Sequence, residues 1–70
     1  HPPKVEPIVR GIIESFRNGE RDNVAVWLEK VGRPFYVNYM AVRDQNNNYL
    51  GTLELVQDMQ FAKEHFARIK

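Results

Sequence analysis

Cysteine is absent from the 70 residues, which excludes disulfides, thiolate metal sites and thiol catalysis. Histidine occurs only as His1 and His65, too far apart to supply a metal-ligand spacing. An excess of either charge is missing as well. Ten Lys and Arg against nine Asp and Glu leave a net charge of +1, which gives no electrostatic case for nucleic acid or an anionic membrane. No apolar run approaches the roughly 20 residues of a membrane span. A phosphate-cradling loop is lacking, because the glycines at 11, 19, 32 and 51 each stand alone. Ser15 has no base at helical spacing, so a serine nucleophile would go unactivated. The expectation is a non-enzyme with no catalytic and no metal-ligating residues.

Length is the remaining shortage. A folded chain of 8.2 kDa exposes roughly 4,500 Å² against roughly 11,900 Å² when open. If about 60% of the buried difference is apolar, burial contributes on the order of 110 kcal/mol. Ordering the chain costs on the order of 105 kcal/mol. So small a margin, with no disulfide or metal to add to it, points to a partner or to the rest of a longer chain. The opening His1-Pro2-Pro3-Lys4, without Met, reads as a piece of a longer protein.

What is present has clear periodicity. Val5, Ile8, Val9, Ile12, Ile13 and Phe16 form one helical stripe, predicting a helix over 5–18 with Pro7 in its first turn and Asn18-Gly19 as a left-handed stop. After the charged connector 20–23, Val24 to Lys30 reads as a strand. Val31-Gly32-Arg33-Pro34 reads as a turn. A second strand spans 35–43, with Phe35, Val37, Tyr39 and Ala41 on one face and Tyr36, Asn38, Met40 and Val42 on the other. Apolar residues on both faces predict a central strand covered on both sides. Asp44 to Asn48 is a turn with Asn suited to positive φ. The third strand spans 49–57, its face Tyr49, Gly51, Leu53 and Leu55 being the more apolar. Asp58 is placed to cap a helix from Met59 to Arg68, along which Met59, Ala62, Phe66 and Ile69 step like a short coiled-coil seam.

The order α–β–β–β–α is shared with double-stranded-RNA-binding modules. Those need a lysine cluster at the start of the last helix, whereas here it opens Asp58-Met59-Gln60-Phe61-Ala62-Lys63-Glu64. RNA binding is therefore a minor reading, and topology alone does not carry function. Trp27, Phe35, Tyr36 and Tyr39 read either as ordinary core or as the lining of a cavity. His1 reads as a loop residue or, in a complete domain, as a haem or metal ligand.

The run Tyr39-Met40-Ala41-Val42-Arg43-Asp44, a polar turn, then Tyr49-Leu50-Gly51-Thr52-Leu53-Glu54 and Val56-Gln57-Asp58 resembles the end of a PAS sensor domain. More specifically, with His1-Pro2-Pro3-Lys4 and the Phe16/Gly19 helix end, it is similar to the PAS-like domain that closes bacterial hemerythrin-type (HHE) proteins of unknown function. The chain departs from the usual signature in having Met59-Gln60 where Ile and Thr follow the Asp. The resemblance implies an α+β, PAS-like fold of which residues 1–70 are a single, C-terminal portion, the two N-terminal strands lying before His1. It also implies sensing and protein–protein signalling, with ligands ranging from haem and flavin to small metabolites or none, so that the cofactor is unknown; the cysteine-free composition fits the cytoplasm.

These readings give definite expectations. Ile12, Phe16, Trp27, Val37, Tyr39, Ala41, Leu53 and Leu55 would line a core or small-ligand cavity. Asp58, Met59, Ala62 and Phe66 would carry the signalling or dimer contact, by a change in packing. The chain would form a homodimer, closing an uncovered apolar sheet by two-fold symmetry, with neither nucleic acid nor membrane as a partner. The alternative is a haem-binding redox or gas sensor in the complete domain.

Overall fold

The computed structural model describes residues 4–69. Helix α1 (Glu6–Arg17) is followed by strands β1 (Asn23–Lys30), β2 (Arg33–Arg43) and β3 (Tyr49–Asp58) and by helix α2 (Gln60–Arg68). The strands form one antiparallel sheet in the order β1-β2-β3. Helix, three-stranded antiparallel meander and closing helix are thus as the periodicity predicts.

Pro7 lies in the first turn of α1, where a missing N–H breaks no helical bond. Gly19 ends the helix at φ 74°, its N–H bonded to Phe16 O and that of Glu20 to Ser15 O, which satisfies carbonyls the helix leaves unpaired. The buried core is Ile12, Phe16, Val37 and Tyr39, with Val9, Val24, Val26, Ala41 and Tyr49 packed around it. Arg43 fastens this corner. Its Nε donates to Asp22 Oδ1 at 2.9 Å and its Nη2 to Phe16 O at 2.6 Å, joining the end of α1, the connector and the end of β2.

Two expectations need correction. The first turn is shorter than expected. Lys30 pairs with Arg33, so the turn is Val31-Gly32 alone, both at positive φ, and Arg33 and Pro34 belong to β2. Pro34 is tolerated because the Glu29↔Pro34 pair is the kind that exchanges no ladder bonds. Its carbonyl points away from β1 and accepts the Met59 N–H at 2.8 Å.

The second correction concerns cover. β2 is central, but only its α1 side is closed over. On the other side Trp27, Leu53 and Leu55 are 65%, 56% and 46% exposed. The chain exposes 5546 Å² against the roughly 4,500 Å² of a compact protein of its mass. Its radius of gyration is 15.1 Å where about 11 Å is usual for the length.

A groove between helix and sheet

Residues directly opposite in an antiparallel ladder share a face, so the register assigns every strand side chain. On the α1 side lie Val24 and Val26 of β1, Val37, Tyr39 and Ala41 of β2, and Thr52, Glu54 and Val56 of β3. On the outer side lie Trp27, Tyr36, Asn38, Met40, Leu53 and Leu55.

The register splits the expected cavity set. Ile12, Phe16, Val37, Tyr39 and Ala41 come together between α1 and the sheet. Trp27 turns the other way and packs on Tyr36, ring centroids 4.7 Å apart. Leu53 and Leu55 are likewise on the outer face, opposite Met40 and Asn38.

The cause is a bulge. Arg43 pairs with Tyr49, yet Val42 pairs with Gly51, so Leu50 is an extra residue in β3. Continuing the first pairing without a bulge would set Leu53 opposite Tyr39 and Leu55 opposite Val37. One inserted residue flips the parity of everything beyond it, and Glu54 and Val56 take those places.

The groove beside the core measures about 550 Å³, within the range of small-ligand sites. Its walls are Val5 at the N-cap of α1 and Ile8, Val9 and Ile12 within it, facing Val26, Leu28, Phe35, Val37 and Val56 of the sheet. Val5, Val9, Val26, Leu28, Glu54 and Val56 are wall residues outside the expected cavity set. The even spacing of Val24, Val26 and Leu28 was the signal for β1, and Ile8 lies on the predicted helix stripe.

Polar groups are few here. Tyr39 and Glu54, which bears a carboxylate, are cross-strand partners on the α1 side of the sheet. Burial, reinforced by that carboxylate, raises the Tyr39 pKa above the usual phenol value. Glu29 and Lys30 line the end beside the β1–β2 turn. Among the described residues no cluster of three or more His, Asp or Glu could hold a metal, and no helix is long and apolar enough to cross a membrane. His1 lies outside the described residues.

The signalling set sits at the far end of β3. Asp58 is bonded to Arg33 and to the Gln60 N–H, one residue earlier than a cap proper, since α2 begins at Gln60. Met59 and Ala62 are half-buried, whereas Phe66 and Ile69 are 70% and 61% exposed.

Helix, meander and closing helix with a groove under the first helix fit a PAS-like fold, and the comparisons agree. A family model described as a PAS domain matches residues 1–60, so the chain belongs to the PAS domain family. The chain is 45% identical, over 93% of its length and with a TM-score of 0.77, to the crystal structure of a C-terminal domain from the bacterium Streptococcus mutans. It spans about half (50%) of that chain. No curated protein matches.

Proposed function

We propose that the chain is a non-catalytic sensory module of PAS type, in which the groove between α1 and the sheet holds a small ligand. The observation that carries this reading is the groove itself. It is an apolar cleft of about 550 Å³, a size in the range of small-ligand sites. The hemerythrin-type parent and a bacterial cytoplasmic setting belong to the same reading, supported by the motif resemblance. Residues 1–70 then act as the C-terminal portion of a sensor. Ile12, Val37 and Tyr39 form the floor that feels the ligand, with Phe16 and Ala41 packed beside them in the core, and α2, entered through Asp58, carries the response.

The partner in this reading is a second copy of the chain. The surface in excess of a compact protein is about 1,000 Å², and a stable interface takes about 800 Å² from each partner. Trp27, Met40, Leu53 and Leu55 on the outer face supply an apolar surface for it, and the exposed Phe66 of α2 supplies a further apolar contact. Sedimentation at tens of micromolar should give twice 8.2 kDa. A cooperative melt from a clean monomer would overturn the dimer.

The ligand reading is tested by native mass spectrometry and by thermal-shift screening of the purified chain. A non-covalent adduct, or a melting temperature raised by a compound and no longer raised in Val37→Trp, supports it. A melting temperature that no compound moves would sink it. A Soret band in the absorption spectrum would instead assign haem.

A further inference from the structure

The outer face of the sheet, opposite the groove, carries an amide at its centre. Asn38 is the middle residue of β2, the central strand. Its neighbours on that face are Tyr36 and Met40 along the strand and Ala25 and Leu55 across it, none of them charged. The Asn38 Oδ1 is buried yet accepts no hydrogen bond from any described residue. A buried acceptor without a donor is uncommon in folded proteins and costly to keep.

We propose that Asn38 sets the register of a two-fold dimer, its amide bonding to the same amide of a second copy across the symmetry axis. This rests on the reading of the partner as a second copy of the chain. A two-fold interface is isologous, so a residue lying on the axis meets itself. An apolar side chain there gains only contact, and a charged one is repelled. A carboxamide is self-complementary, because it holds both an acceptor oxygen and N–H donors. Its terminal torsion is broad and roughly two-fold, so either end can be turned to the partner. The spacing also fits. Sheets packed face to face lie roughly 10 Å apart. Side chains reaching roughly 3.5 Å from each leave roughly 3 Å between the amides, the length of a hydrogen bond. Around the pair, the exposed Trp27, Leu53 and Leu55 supply the apolar contact, and every register that leaves Asn38 unpaired is penalised, as with a single buried Asn in a coiled coil.

Sedimentation equilibrium of the whole chain tests this with two near-isosteric exchanges of amide for carboxylate on one face. Asn38→Asp sets like charges against each other on the axis and should weaken the dimer at least about tenfold. Gln57→Glu, at the end of the face opposite Tyr36, should change it less than about threefold. In a mixture of isotope-labelled and unlabelled chain, the Asn38 side-chain amide should show a nuclear Overhauser effect to Asn38 of the unlabelled copy. A dimer without that contact would overturn the role of Asn38 and leave the dimer standing. So would a dimer weakened no more by Asn38→Asp than by Gln57→Glu. Should Asn38→Asp fail to fold, the contact between copies in the unmodified chain decides alone. A monomer at tens of micromolar would remove the dimer and the proposal together.

Discussion

Arg33, which opens β2, and Asp58, which closes β3, lie at the same end of the β2–β3 pairing and are joined by a 2.7 Å bond from Arg33 Nε to Asp58 Oδ2. The other oxygen of the same carboxylate accepts the Gln60 N–H at 2.9 Å, and Pro34 O accepts the Met59 N–H. The first amides of α2, which a helix cannot satisfy itself, are thereby tied to the start of β2. Both charged side chains are substantially exposed, so the ion pair adds little stability. Its effect is to fix where α2 leaves the sheet.

Asp58→Ala should therefore leave the melting temperature nearly unchanged while amide exchange at 60–63 speeds up severalfold. Asp58→Asn keeps an acceptor for Gln60 but loses the charge facing Arg33, and should fall between. Exchange rates equal to those of the unmodified chain would show that α2 is anchored by other contacts.

Acid should weaken the fold through two aspartates. Hydrogen bonds lower the pKa of both: at Asp44 chiefly the Asn48 side chain, then the Asn48 N–H, and at Asp58 the Gln60 N–H, then Arg33. A depressed carboxyl pKa contributes stability that is complete above the unfolded value near pH 4 and is lost as pH falls through the folded value. Stability followed by denaturant titration should be level from neutral pH to about pH 5 and decline below about pH 4. In the double variant Asp44→Asn, Asp58→Asn the decline should be shallower. An identical acid slope would place the responsible groups elsewhere.

The two faces of the sheet should respond differently to substitution. Phe16 is fully buried at 0% exposure, and truncating such a side chain costs about 3–5 kcal/mol, comparable to the whole stability of a small domain. Phe16→Ala should be unfolded or barely folded by circular dichroism. Leu53→Asp, on the outer face, should keep the folded spectrum at low concentration and lose self-association in sedimentation. Unfolding by Leu53→Asp in a chain that is monomeric to begin with would contradict the face assignment.

That assignment also marks where the sequence was legible. The α1 stripe from Ile8 to Phe16 was readable because a helix repeats by its own geometry, and Gly19 because its conformation is local. β3 was not, because Leu53-Glu54-Leu55-Val56 carries apolar groups on both faces. Its parity is decided at Leu50 by a bulge that no hydrophobic pattern announces. Trp27 misled for a related reason. A large aromatic residue suggests burial, yet Val24, Val26 and Leu28 already occupied the inward positions of β1. The Tyr39–Glu54 pair depends on the same bulge, so the polar part of the candidate site was hidden with it.

The β1–β2 turn is the clearest local conflict between residue and conformation. Val31 and Gly32 have φ of 53° and 73°, the two positive values that a tight two-residue hairpin with matching twist requires. Gly32 adopts this without cost, but a β-branched side chain in the left-handed region is strained. Val31 is 91% exposed, so it gains almost nothing from packing in return. Asn is among the side chains best suited to this position, and Val31→Asn creates the Asn-Gly pair that hairpins of this type prefer. The substitution should stabilise the chain by about 1 kcal/mol without altering the groove. Denaturant midpoints compared at equal slope would measure the gain. An unchanged or lowered midpoint would mean that the turn relaxes in solution to a geometry Val31 accepts, and the two-residue hairpin assigned here would not hold.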